Sequence, residues 1–289
     1  MKYLTEKTLK HTGYLDDINK MHNNEYDFIE TDSIKEWDKH LKHNYNNFNE
    51  YKFNEYSVQY YIKNPIKYQL NNYGFRTPDD FNSEDIGNVY LGCSHTFGIG
   101  HHLENVWSYK LNQIIGGKFW NLSVGGTGVT THFRLLLAFY KELKIKNIFH
   151  FVPMYPRYEF IENGKPQNYI INNYNEQWKS NFGNLMVDSL LTDEQCEFNW
   201  IAYTYAIKGL ANEIGCNYYL IEGDTGWHGQ DDNSLLARDL LHHTTKVQHS
   251  IYQDFLKMYD ENLYEKYANT QEPILDIKKY IKGSKNSII

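Results

Sequence analysis

The sequence predicts an α/β domain, a three-layer sandwich with a mostly parallel sheet, carrying an N-terminal helical and irregular extension. Three observations predict it. Short apolar runs recur along the chain from about residue 86. The stretches between them repeat their apolar residues at helical spacing. Glycine-rich turns directly follow the first two runs. Strands alternating with helices in this way imply a parallel sheet with helices on both faces.

Residues 1–80 are polar, rich in Asn, Tyr, Lys and His, with short helical pieces expected around 15–22 and 33–45. Pro65 and Gly74 punctuate the end of this extension, which is expected to pack on a core domain spanning 81–262. The first strand is Asn88–Ser94. Leu103, Val106, Trp107, Leu111 and Ile114 then mark a helix. Lys118–Val124 is the second strand, and Val129, Phe133, Leu136, Tyr140 and Leu143 share one face of a second helix. Asn147–Pro153 is the third strand. The polar, aromatic segment 157–190 reads as an irregular insertion. Thr192 with Gln195 resembles a capping box opening a long helix to about residue 214, which Gly215 ends. Asn217–Gly223 is the fourth strand. After a loop, Val247, Ile251, Phe255 and Met258 mark a last helix, and 263–289 is a polar tail.

Composition narrows the function. Hydrophobic residues are 41% of the 289, enough for a core. The net charge is -7 and the basic residues are scattered, which argues against a nucleic-acid partner. Cys93, Cys196 and Cys216 have no regular spacing, so neither a disulfide framework nor a metal site is expected. The N-terminus shows no signal peptide and no apolar run is long enough to span a membrane. A soluble protein, cytoplasmic or virion-associated, is the expectation, and no feature sets an oligomeric state.

In a parallel α/β sheet, ligands bind outside the carboxyl ends of the strands. Three segments are placed there. Gly92-Cys93-Ser94-His95-Thr96-Phe97-Gly98 puts a Ser at a strand-to-helix turn, where free N–H groups can face a developing oxyanion. A Ser there is also an ordinary helix cap. Asn121-Leu122-Ser123-Val124-Gly125-Gly126-Thr127-Gly128 is a second glycine-rich turn; it lacks the Lys of a phosphate-binding loop. Late in the chain, Asp239 stands three residues before His242, a spacing that lets a carboxylate orient an imidazole. The same pattern also suits a solvated surface loop.

Together and in this order, the three segments resemble the SGNH hydrolase superfamily, the GDSL esterases and lipases. Gly92 to Gly98 is similar to the family block G-D-S-x-T-x-G, with Cys93 at the usual Asp. Asn121 to Gly126 is similar to N-x-G-x-x-G, with Ser123 at the first Gly. Asp239 to His242 matches D-x-x-H. Asn72-Tyr73-Gly74-Phe75-Arg76 resembles a lead-in segment seen before the first block in some members. The resemblance covers roughly 86–260 and implies a flavodoxin-like SGNH fold. It also implies a Ser94–His242–Asp239 triad and an oxyanion site made by Ser94 and Gly126. The third block, G-x-N-D, is not evident; Pro153-Met154-Tyr155-Pro156-Arg157 stands in its place, and Arg157 or Tyr155 is the candidate replacement donor.

The reaction so implied is hydrolysis of an O-acyl ester by a serine nucleophile, without metal or organic cofactor. Family habit and the aromatic insertion point to an acetylated carbohydrate. Tyr155, Trp227 and His228 are candidate substrate contacts, and Tyr158 belongs to the same aromatic segment. His95, His101 and His102 read as solvated histidines flanking a helix, and Asp224, Asp231 and Asp232 as a solvated acidic loop. His243 and His249 flank the expected base. The alternatives are a non-catalytic SGNH-like glycan-binding or structural (phage-particle) protein, favoured by the absent block and the long polar N-terminal extension, and an O-acyltransferase using the same triad.

Overall fold

The computed structural model describes residues 5–11, 25–29, 32–33, 35, 57, 60–153, 157–170, 192–223, 237–239, 242 and 244–268. In chain order its elements are α1 (Glu6–Lys10), β1 (Glu25–Tyr26), β2 (Tyr68–Gln69), β3 (Ile86–Leu91), α2 (Ser94–Phe97), α3 (Trp107–Ile115), β4 (Lys118–Asn121), α4 (Val129–Phe139) and β5 (Lys144–Pro153). There follow β6 (Arg157–Glu162), β7 (Lys165–Ile170), α5 (Asp193–Ile214), β8 (Asn217–Gly223), α6 (Thr245–Tyr259) and α7 (Glu261–Ala268). The chain divides into two compact units. The first is Met1–Asn24, Gln69–Phe97 and Ile115–Thr225; the second is Glu25–Tyr68, Gly98–Ile114 and Gly226–Ile289.

The first unit is an α/β structure whose four-stranded sheet has the order β4-β3-β5-β8, all pairs parallel, and is flanked by helices. Strands buried on both faces need continuous apolar runs, which is why these segments lack alternation. One face carries Val89, Leu91, Trp120, Ile148 and Val152. They pack with Leu135, Leu136 and Phe139 of α4 and Ile207, Leu210 and Ala211 of α5. The other face carries an aromatic row: Tyr90 lies 5.0 Å from Phe119 and 5.4 Å from Phe149, which lies 5.0 Å from Tyr219.

At the amino ends of three strands an asparagine ladder sets the register. Asn88 pairs with Asn147, and Asn147 with Asn217. Asn217 Nδ2 donates to Asn147 Oδ1 at 2.9 Å, Asn147 Nδ2 to Asn88 Oδ1 at 2.8 Å, and Asn88 Nδ2 to Gly116 O at 2.8 Å.

Four expectations change. The helix expected from Leu103 opens at Trp107, with a single 3-10 turn at Leu103–Asn105 before it. The first two strands end at Leu91 and Asn121, because the chain turns there into the glycine segments. Met258 is 49% exposed, and Tyr252 and Leu256 complete the buried face of α6 instead. The start of the segment 157–190 is regular: β6 and β7 form an antiparallel hairpin with Glu162 opposite Lys165. Asn163 and Gly164 close it with φ of 51° and 76°, the left-handed pair a two-residue hairpin turn demands. The hairpin is pinned by Glu159, which accepts from Arg134 Nε at 2.6 Å and Nη2 at 2.8 Å. Arg134 Nη1 in turn donates to the His11 carbonyl at 2.6 Å, tying in the residues after α1. Residues 171–191, and the helical pieces expected at 15–22 and across most of 33–45, lie outside the described residues.

The long helix behaves as expected. Thr192 Oγ1 accepts the Gln195 N–H at 3.2 Å, and Gly215 ends the helix at φ 74°. The Gln195 amide completes no box; it donates to Asn199 Oδ1 at 3.1 Å.

In the second unit Trp107 stacks on Phe255 of α6 at 4.6 Å and donates its backbone N–H to Gln248 Oε1 at 3.0 Å. Ile29 and Asp32 form a one-pair bridge in the N-terminal segment. The segment expected as a tail begins in helix α7.

Candidate functional site

Ser94 is the first residue of α2, directly after β3. Thr96 and Phe97 donate their N–H groups to the Cys93 carbonyl, each at 3.0 Å, which folds the turn tightly. Gly92 is required here: a Cβ on it would lie 2.0 Å from Thr96 Oγ1 and 2.7 Å from Thr96 Cβ. Arg76, 1% exposed, braces the far end of the turn by donating to the Phe97 carbonyl at 3.3 Å. Ser94 is 5% exposed, and its Oγ lies 3.9 Å from Cys93 Sγ. Cys93 is wholly buried and Cys216 is buried, and no disulfide joins the three cysteines. Burial pushes the Cys216 thiol up to about 11.

The turn after β4 is tied to the turn after β3. Asn121 Nδ2 donates to the Thr96 carbonyl at 3.2 Å. Its Oδ1 accepts the Ser123 N–H at 3.1 Å and also the Ser123 hydroxyl. Gly126 takes φ 69°, a conformation that favours glycine. Arg157 bears on the same loop through side chain and backbone. Its Nη1 donates to the Thr127 carbonyl at 3.3 Å, and its own carbonyl would lie 2.6 Å from a Cβ on Gly128. Ser94, Gly126 and Arg157 therefore stand in one unit, on turns that brace one another.

Beneath this loop runs a buried polar chain that no sequence motif marks. Tyr218 Oη lies 2.8 Å from His150 Nδ1, His150 Nε2 lies 2.9 Å from His132 Nδ1, and His132 Nε2 lies 3.4 Å from Thr127 Oγ1. Thr127 donates its hydroxyl to the Val124 carbonyl at 2.6 Å. That last bond fixes the direction of the others. With both imidazoles neutral, Thr127 accepts from His132 Nε2, His132 Nδ1 accepts from His150 Nε2, and His150 Nδ1 accepts from Tyr218. Burial, followed by the charge of Arg157, pushes His132 down to about 3. Burial and His132 hold His150 well below its ordinary value. The available signal was one His inside the apolar run Asn147–Pro153, facing a second on the buried side of α4.

A cavity opens beside this end of β5, lined by Val129, Pro153, Arg157, Tyr158, Asn199 and Trp200 together with Cys196. Arg157 Nε and Trp200 Nε1 are buried without a hydrogen-bond partner among the described residues.

The second unit holds Asp239 and His242. Asp239 is wholly buried, and its Oδ1 accepts the His242 N–H at 3.1 Å. Its Oδ2 lies 2.5 Å from His242 Nδ1. Both carboxylate oxygens therefore engage one residue. His249, half-buried, is pushed down to about 4 by burial and then by Lys110.

Of the three histidines expected to be solvated, one is buried and two are partly exposed. His101 is wholly buried, His102 stacks on Tyr61 at 6.0 Å with Nε2 3.2 Å from the Asn64 carbonyl, and His95 meets Phe151 edge-on at 6.4 Å. Tyr155, Trp227, His228, His243, Asp224, Asp231 and Asp232 lie outside the described residues. Among the described residues, no group of three or more His, Cys, Asp or Glu could hold a metal ion, and no helix is long and apolar enough to cross a membrane. The chain matches no protein-family model and no curated protein at a significant level.

Proposed function

We propose that this chain is a serine ester hydrolase of the SGNH type, cleaving an O-acyl ester, with an acetylated carbohydrate as the first substrate to try. The observation that carries the reading is the Asp239–His242 pair. A solvated D-x-x-H loop would leave the carboxylate in water, whereas Asp239 is 0% exposed and aims both oxygens at His242. Sheet order adds support. In β4-β3-β5-β8 the order reverses between β3 and β5, and in open α/β sheets ligands bind outside the carboxyl ends at such a point. Ser94 follows β3 at that end.

In this mechanism Asp239 holds His242 with Nδ1 protonated, leaving Nε2 to accept the Ser94 proton as Oγ attacks the ester carbonyl. The N–H groups of Ser94 and Gly126 receive the oxyanion. The alcohol leaves with the proton from His242, and water then releases the acid from the acyl-enzyme. No Asn donor follows β5. Arg157, held against the glycine loop, is the charge nearest that role. Loss of one oxyanion donor costs about 2.7–4 kcal/mol, so slow turnover is expected.

A fluorophosphonate probe tests the reading. Labelling of the purified protein that disappears in Ser94→Ala supports it; no labelling of the wild type overturns it. One observation favours the non-catalytic alternative: Ser94 is 5% exposed. Absent labelling with retained glycan binding would establish that alternative. Product analysis with a sugar acceptor present would separate acyl transfer from hydrolysis.

A further inference from the structure

We propose that Asp32 is a positioning residue: by occupying the guanidinium of Arg238 it keeps Asp239 for His242. The inference rests on the reading above that Asp239 and His242 act together. It brings in a carboxylate 206 positions away from Arg238 in the chain.

Arg238, 3% exposed, places Nε 2.8 Å from Asp32 Oδ1 and Nη2 2.6 Å from Asp32 Oδ2. Nη2 also donates to the Asp27 carbonyl, and the guanidinium lies 4.3 Å from the Phe28 ring centroid. Asp32 is wholly buried and takes a further bond from the Tyr68 hydroxyl at 2.5 Å. The Gly100 N–H donates to the Tyr68 oxygen at 2.7 Å, and the Arg238 N–H donates to the Gly100 carbonyl at 2.8 Å. Asp32, Arg238, Gly100 and Tyr68 thus close a ring of hydrogen bonds. Only glycine fits that ring: Gly100 sits at φ 76°, and a Cβ on it would lie 2.8 Å from Ala237 Cβ. The Ile29–Asp32 bridge, with N–H···O distances of 2.9 Å and 3.0 Å, presents the carboxylate.

The ring holds residue 238 at both backbone and side chain, and residue 239 is its neighbour. An Arg fork matches any carboxylate bidentately, and with Asp32 gone the nearest one in sequence is Asp239. Arg238 would then compete with His242 for the oxygens that orient the imidazole. An acid in the N-terminal segment therefore decides which partner Asp239 takes.

The test uses the full-length protein and proton NMR of the His242 Nδ1–H, assigned by its loss in His242→Gln. A strongly downfield resonance is expected in the wild type and is lost in Asp32→Asn, with near-ultraviolet circular dichroism checking the fold. Adding Arg238→Met to Asp32→Asn removes the competitor and brings the resonance back. If Asp32→Asn does not fold, Tyr68→Phe, which removes one bond to Asp32, gives the milder form: a broadened resonance. A folded Asp32→Asn with the resonance unchanged, a double variant in which it stays absent, or an unaltered signal in Tyr68→Phe overturns the proposal. Wild-type protein that shows the resonance but takes no fluorophosphonate fails the hydrolase reading alone.

Discussion

Two buried polar networks solve the same problem by opposite means. In the first unit, Tyr218, His150, His132 and Thr127 form a neutral chain in which each group donates once along the line. In the second, the Asp32–Arg238 pair and the Asp239 carboxylate that engages His242 rest on full charges. A neutral chain is satisfied by hydrogen bonds alone and costs little to bury once every partner is present. A charged one must also offset desolvation, and it does so only while each charge keeps its partner. Burial pushes the Asp32 carboxyl up, while Arg238 and then Tyr68 pull it down. The neutral chain is therefore expected to be sensitive to pH, and the charged one to amino-acid substitution.

The largest effect should come from breaking the charged network on one side. Arg238→Met leaves Asp32 buried without its cation, and loss of one partner of a buried pair costs about 3–5 kcal/mol. Urea unfolding should show this, and adding Asp32→Leu should recover part of it, because paired removal leaves no orphaned charge. A double variant as unstable as the single one would mean that the ring serves backbone geometry rather than charge.

Acid should come next for each pH unit crossed, and should act on the neutral network. In the unfolded chain a histidine titrates near 6.5, while His132 is held to about 3 in the fold. Above pH 6.5 both states are neutral and the group has no effect on stability. As pH falls from 6.5 toward 3, only the unfolded chain binds the proton, so stability drops by about 1.4 kcal/mol per pH unit. His150 adds a contribution of the same sign. Urea midpoints measured across this window should fall steeply, and His132→Asn should flatten the slope. A slope unchanged in that variant would reassign the acid sensitivity to other groups.

Tyr218→Phe should be the smallest of the three. It removes the donor to His150 Nδ1 and leaves one buried acceptor unmatched, a cost of about 1–3 kcal/mol. Hydrogen exchange at β8 would register it.

The four sheet strands were legible because each is an apolar run too short for a helix. The long helix was legible through Thr192 and Gly215. The hairpin at Asn163–Gly164 is harder to read although Asn-Gly is a strong turn signal, because the surrounding residues look merely polar and aromatic. Of the candidate site, Ser94, Asp239 and His242 were named from local motifs. The bond between Asp239 and His242 spans three positions and can be read locally. The one between Asp32 and Arg238 cannot: nothing in either sequence neighbourhood announces a partner so distant. His132 and His150 escaped for a related reason, since a lone histidine in an apolar segment carries no mark of what it meets.

The three asparagines at the amino ends of β3, β5 and β8 act on assembly more than on strength. Each amide bond contributes only about 0.5–1.5 kcal/mol. Sliding β5 by one residue, however, would turn Asn147, 1% exposed, toward the opposite face and strand its amide in the interior. The misaligned sheet would then lose its ladder and bury an unmatched dipole at once. The repeated Asn-aliphatic-aromatic and Asn-aromatic-aromatic openings of these strands thus serve as alignment marks, by which a chain of similar apolar segments tells one pairing from its near copies.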